Sequence, residues 1–371
     1  MSAAFSPSSS SASSASPASS AASSGPPAAP APPAAGIPLP PAPAVRRRTR
    51  TLHLAASIDG PDPYEAAAYV ELARLAEGGA LDFVTVDDCG PPEGPGPDGA
   101  GARPGPLDIL AAVVPATGRI GLVPTVTAGT AGAGGASGAA DARRIAAAVG
   151  ALDRAGGGRA GWTLRPASGP AGPDEARWRA AEAVAVAVAR EWGAAAGPGA
   201  PRNVPVTAVD ATEPGARGLA ARHADIAFVR AADPGRAGLI RDELRALATG
   251  AGRDPDRLLV LADLCVDLGG GELGPEPGVE ITLAPDGAGR VLFGGGPVDL
   301  AELIAEWQQE GAVDGFRIRP VEPRRDLERF VNGTAALLQH RGLFRSFHPG
   351  ATLREHLGLH RPPPRPSSGP W

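Results

Sequence analysis

Residues Pro297 to Pro320 read PVDLAELIAEWQQEGAVDGFRIRP, and two different periods follow one another within them. Leu300, Leu303, Ile304 and Trp307 recur at spacings of three and four, which gathers them on one stripe of a helix. Pro297 suits the first helical position, where a missing N–H costs nothing, and Gly311 suits the stop. Beyond it the period drops to two: Phe316 and Ile318 alternate with Arg317 and Arg319, as on the two faces of a strand. A helix over 298–310 that leads into a strand over 315–319 is one unit of a parallel α/β sheet.

The same unit recurs upstream. Apolar runs rich in β-branched residues lie at Leu52–Ala56, Leu81–Val86, Ile120–Val126, Arg159–Leu164, Val204–Val209, Asp225–Val229 and Leu258–Val266. Segments of helical character fill the gaps. With the Gly315–Arg319 strand, the alternation runs eight times, the pattern of a (β/α)8 TIM barrel in a single domain. A doubly wound open sheet would want a phosphate fingerprint after the first strand, and LAASIDGPDP (residues 54–63) is not one.

Composition sets the flanks. The first 45 residues carry no charge and are nearly all Ser, Ala, Pro and Gly. Such a segment buries too little surface to offset its ordering entropy, so residues 1–50 are expected to be a disordered low-complexity tail. The barrel is expected over 51–362, and a flexible tail over 363–371. RRRTR at 46–50 reads as a solvated flank, and the net charge of −5 argues against a nucleic-acid partner. No apolar run approaches the roughly 20 residues that span a bilayer. Cys89 and Cys265 make neither a disulfide framework nor a metal spacing. These features predict a reducing, cytoplasmic setting, with no secretory leader.

A barrel of this kind works at the carboxyl ends of its strands. Ser57, Asp59, Asp87, Asp88, Thr125, Thr127, Arg165 to Ser168, Asp210 to Thr212, Arg230, Asp267 and Arg319 fall there. Thr125 and Thr127 share a parity and are expected to point into the mouth together. Asp87 and Asp88 are adjacent, so only one of them faces inward. They read either as a metal or acid–base pair, with Asp210 as the obvious partner, or as a cap on the next turn. Arg319 enters the barrel if Phe316 and Ile318 meet the helices. It then holds either a phosphate or acidic substrate, or a barrel carboxylate such as Asp87 or Asp263. FGGGP at 293–297 reads as a turn into the next helix, with a phosphate cradle as the rival. Trp162 and Trp178 read either as core or as surfaces for a flat ring. A mouth of hydroxyls and glycines suits a site where a cofactor does the chemistry and the protein positions it.

Six stretches, LDFVTVDD, RIGLVPTVT, LDRAGGGRAGW, GRDPDRLLVLADL, AEWQQEGAVDGFRIRP and RGLFR with TLREHLGL, occur in this order. They resemble flavin-dependent oxidoreductases of the bacterial luciferase-like group, in the branch of the nitrilotriacetate and alkanesulfonate monooxygenases. The resemblance covers roughly 51–362. It implies a TIM barrel that binds reduced FMN, or coenzyme F420, at the strand ends. It further implies a flavin-dependent monooxygenase that uses O2 on a small organic substrate, a separate flavin reductase as partner, and a homodimer.

Carried over by position, Asp88 matches the carboxylate after strand two, Thr125 and Thr127 the pair beside the flavin ring, and Trp162 the aromatic after the Gly-Arg turn. Ser168 stands one place from the family's serine. Thr212 and Gly215 stand for the Ser and Gly of the phosphate turn, with Arg217 expected to offset Asp210 and Glu213. The chain departs from the pattern at AGTAGAGGASG (128–138), at TLRPAS (163–168) and at VDATEPGARG (209–218). The insertion that covers the site in relatives shrinks to GAAAGPGAPRN (193–203). Those departures favour a second reading, a barrel that has lost flavin and serves as a partner subunit; the paired carboxylates leave a third, a metal-dependent hydrolase using Asp87 or Asp88 with Asp210.

Overall fold

The computed structural model describes residues 51–60, 65–87, 104–128, 137–167, 174–194, 203–269, 282–285 and 289–359. The tails expected at 1–50 and 363–371 lie outside the described residues. Within these bounds eight strands run parallel: β1 (His53–Ser57), β2 (Phe83–Val86), β3 (Gly121–Ala128), β4 (Gly161–Pro166), β5 (Val206–Asp210), β6 (Ile226–Val229), β7 (Leu259–Asp267) and β10 (Gly315–Pro320). Each pairs with the next, and β10 pairs with both β7 and β1. The registers Gly315↔Leu261 and His53↔Gly315 close the ring. The predicted (β/α)8 barrel is present.

One element was not legible from the pattern. A hairpin, β8 (Thr282–Pro285) and β9 (Val291–Gly294), joins the edge of β7. The lower half of β7 pairs with β6 through Leu259 to Ala262, and its upper half with β9 through Leu264 to Asp267. The rim therefore rises on this side. The FGGGP stretch is corrected accordingly: Phe293 and Gly294 belong to a strand, and only the residues after them turn into the next helix.

The helices are α1 (Ala66–Gly78), α2 (Pro106–Val113), α3 (Ser137–Ala155), α4 (Asp174–Ala194), α5 (Pro214–His223), α6 (Pro234–Gly250), α7 (Pro297–Glu310), α8 (Pro323–Arg329), α9 (Ala336–His340) and α10 (Leu353–His356). Gly311 ends α7 in the left-handed region, φ 68°, where glycine carries no Cβ penalty. Trp307 of α7 meets Phe316 of β10 at a centroid distance of 5.7 Å. Phe316 and Ile318 therefore face the helices, and alternation sends Arg317 and Arg319 inward.

The barrel interior holds Ala55, Phe83, Val123, Ala208, Phe228 and Leu261. Leu353, Leu357 and Leu359 of the C-terminal segment join this cluster and plug the floor. Gly121 and Gly161 leave them room: a Cβ on Gly121 would lie 2.6 Å from Leu353 and one on Gly161 3.2 Å from it. With the floor plugged, the carboxyl rim is the end that remains for a ligand.

Candidate functional site at the strand carboxyl ends

The rim is organised around Asp263. Its place on β7, opposite Arg317 of β10, buries it almost completely. It accepts from Arg317 Nε at 2.7 Å, from Arg319 Nε at 2.9 and 3.1 Å, and from Arg230 Nε at 3.3 Å. The Arg317 guanidinium also lies 3.8 Å from the ring centroid of Phe228. Burial opposes ionisation of Asp263, but the Arg317 and Arg319 charges outweigh it and hold the carboxyl far below its usual range.

Arg319 reaches on to Asp87 at 2.8 Å and to Asp59 at 3.7 Å. Thr125 donates to Asp87 Oδ1 at 2.7 Å, and Arg165 stands 3.5 Å from its Oδ2. Burial opposes the ionised form here too, yet Arg319, Arg317, Arg165 and the Thr125 hydroxyl lower Asp87 to about 2. Asp59 accepts from Ser57 and from the Asp87 N–H; burial first, then the Asp87 charge, push it up. Asp87 therefore faces the mouth, and Asp88 lies outside the described residues, as do Cys89 and Ser168. Arg319 is already paired with three carboxylates, Asp87 and Asp263 among them, which is the ion-pair alternative for this residue.

Above this network opens a cavity of about 460 Å3, within the range of small-molecule sites. Six guanidiniums line it, those of Arg165, Arg177, Arg230, Arg290, Arg317 and Arg319, against the carboxylates of Asp87, Asp210 and Glu213. Asp263 and Asp59 stand behind the lining and bind Arg317, Arg319 and Arg230 from there. Three further lining groups are buried with no hydrogen-bond partner among the described residues: Thr163 Oγ1, Thr212 Oγ1 and Trp178 Nε1. Buried polar groups are nearly always satisfied, so these three unpartnered groups set this side of the cavity apart as a candidate polar site.

The residues carried over by position fare differently. Thr125 is buried at the mouth, but its hydroxyl serves Asp87. Thr127 shares its parity, opposite Arg165 in register. Thr212 is one of the orphans.

Gly215 lies under Trp178: a Cβ there would sit 2.9 Å from Cδ1. Its close approach is to this indole. Asp210 and Glu213 are neutralised, as a phosphate turn needs, but by Arg230 at 2.5 Å and Arg177 at 3.0 Å. The expected partner Arg217 instead holds Glu243 at 2.5 Å and the carbonyls of Ala211 and Thr212.

Trp162 is a correction. Since Gly161, Thr163 and Arg165 have the inward parity, Trp162 faces the helices. It is buried there edge-on to Trp192 at 5.8 Å and donates to Thr207 at 3.1 Å. Arg177, Trp178 and Arg290 complete the site; sequence reading singled out only Trp178 among them, because the other two stand off the barrel strands. Among the described residues no group of three or more His, Cys, Asp or Glu side chains is arranged to hold a metal ion. No helix among them is long and apolar enough to cross a membrane.

No family model matches the chain. It is 43% identical over 74 residues to the N-acetyl-S-(2-succino)cysteine monooxygenase of Bacillus subtilis (strain 168), covering 20% of this chain. It is 41% identical over 75 residues to nitrilotriacetate monooxygenase component A of Aminobacter aminovorans, again 20% of this chain. The matched residues span 17% of the length of each of these relatives. EDTA monooxygenase (EmoA) from Chelativorans sp. BNC1 superposes with a TM-score of 0.66 at 18% identity, over 85% of this chain and all of the other. A riboflavin lyase (RcaE), solved with modified FMN and riboflavin, does so with 0.65 at 17%, over 84% and 97%. The chain is thus similar to these monooxygenases over about a fifth of its length, and it shares their solved neighbours' barrel fold.

Proposed function

We propose that the chain is a flavin-dependent oxidoreductase, a monooxygenase that takes reduced FMN into the rim cavity from a separate flavin reductase and uses O2 on a small organic substrate. The observation that carries this reading is the wall of three unpartnered groups, Thr163, Thr212 and Trp178, inside an arginine-rich cavity at the carboxyl rim. A reduced flavin, when bound, supplies the electrons for oxygen activation. This chain supplies the rest. The six guanidiniums that line the cavity suit an anionic ligand, and the neutralised Asp210 and Glu213 no longer repel one. Asp87, ionised at working pH, and Arg319 are fixed charges that need no reorganisation.

Titrating the full chain with reduced FMN, oxidised FMN and F420, followed by fluorescence, tests this. Reduced FMN is expected to bind at millimolar concentration or tighter. Thr212→Val is expected to weaken it about tenfold, the worth of one buried hydrogen bond. Trp162→Phe is expected to leave flavin affinity unchanged while costing about 1 kcal/mol of stability through the lost bond to Thr207. A folded barrel that binds neither FMN nor F420 overturns the proposal and leaves the partner-subunit reading, which the ion pairs across the mouth favour.

A further inference from the structure

We propose that residues 343–359 form a latch on the barrel floor that opens when His348 and His356 take up protons. The segment closes the end of the barrel opposite the rim cavity, with Leu353, Leu357 and Leu359 inside the ring. Polar contacts fasten it. Arg345 holds Asp82 at 2.9 Å and the Ala80 carbonyl at 3.0 Å. Arg354 holds Asp225 at 3.0 and 3.1 Å, and Leu353 N–H donates to Gly158 at 3.2 Å.

Two imidazoles sit within this fastening, their centroids 4.9 Å apart. His348 Nε2 lies 2.8 Å from the Leu81 carbonyl and His356 Nε2 lies 3.1 Å from that of Gly350. A carbonyl only accepts, so each Nε2 carries the hydrogen and a further proton must go to Nδ1. His356 Nδ1 is buried with no partner among the described residues. A proton placed there makes a buried cation with an unmatched donor.

The Asp82 carboxylate favours such a charge at both rings and Glu77 does so at His348, but burial outweighs them and both carboxylates are engaged elsewhere. Arg345 on the same segment repels the charge, and Arg119 already approaches Gly350 with its guanidinium at 3.2 Å. Asp82 is engaged by His53 at 3.2 Å, the Leu54 N–H at 2.9 Å and Arg345. Glu77 accepts from the N–H groups of Gly118, Arg119 and Ile120, and Glu355 from those of Ala351 and Thr352. In agreement, burial first holds both histidines below the ordinary imidazole value, with the Arg345 charge adding to it at His348, and the His348 charge and then Arg345 adding to it at His356.

The direction of the pH effect follows. A histidine depressed in the closed state keeps its full contribution above the free value of about 6.5, and that contribution is lost as the pH falls below it. The rim cavity and the strands around it carry no such pair among the described residues, so the floor should open first.

Hydrogen exchange of the full chain, read by mass spectrometry and corrected for intrinsic rates, tests the latch at about pH 7.5 and about pH 5. Peptides within 343–359 are expected to exchange at least about tenfold faster at the lower pH, with β3 to β7 still protected. The double variant His348→Gln, His356→Gln is expected to abolish that pH dependence. Unchanged protection of 343–359, equal loosening of the strands, or an undiminished response in the double variant each overturns the proposal. Should the double variant fail to fold, imidazole titration of the unaltered chain by NMR decides: both midpoints below 6.5 support the latch, and either at or above it refutes it. The inference is independent of the flavin reading.

Discussion

Asp263→Ala is expected to destabilise the chain by about 3–5 kcal/mol, measured as a lowered urea midpoint at unchanged slope. Asp263 accepts from three guanidiniums while being almost fully buried itself. Removing it affects them unequally. Arg230 retains Asp210, and Arg319 retains Asp87. Arg317, 1% exposed, is left with the face of Phe228. An isolated buried cation costs far more than the net worth of the pair it came from. The double variant Asp263→Leu, Arg317→Met, which removes both charges and fills the space with apolar atoms, should recover most of the loss. A single-variant cost below about 1 kcal/mol would show that water reaches Arg317, and would contradict the charge-locked rim.

Acid supplies an independent reading of the same network. Asp263 and Asp87 are both depressed in the folded chain, Asp87 to about 2. A carboxylate with a lowered folded value contributes fully above its unfolded value of about 3.9 and loses that contribution as the pH falls towards the folded one. The unaltered chain should therefore lose stability steeply below about pH 4, and Asp263→Ala should show a shallower decline there.

The barrel was legible because its signals are local. Period-three-to-four stripes and short β-rich runs alternate eight times, and each predicted strand overlaps an observed one. The hairpin of β8 and β9 was not legible, since its strands are four residues each and carry a proline and a glycine where a strand signal would be sought. The site was legible in part. Strand-end position alone put Asp87, Thr125, Arg230 and Arg319 at the mouth, and Arg317 and Arg319 turn inward because Phe316 meets the helices, the condition the sequence left open. Trp162 went astray because resemblance supplied a role that its own parity forbids. Arg177 and Arg290 escaped because their place at the mouth depends on how α4 and the β9 hairpin fold back over the rim, a tertiary fact with no one-dimensional signature.

Gly315→Ala is expected to cost about 3 kcal/mol or more, a large effect for one methyl group. Gly315 begins β10 at the seam where the ring closes, opposite His53 on one side and Leu261 on the other. A Cβ there would overlap the His53 carbonyl oxygen and lie 2.8 Å from its carbon and from its Cβ. Those are backbone neighbours, so no rotamer change relieves the overlap and the strands themselves must separate. Separation here strains two ladders together and disturbs the His53–Asp82 pair beneath the barrel. The same residue sets the register that places Arg317 opposite Asp263, so the variant should lose FMN affinity along with stability if the rim cavity binds flavin. Gly250→Ala, at the end of α6 with nothing within 4 Å of the added methyl, is the matched control and should be nearly neutral. A Gly315→Ala chain as stable as that control would mean the seam between β10 and β1 is looser than the ring described, and the inward placement of the rim charges would lose its footing.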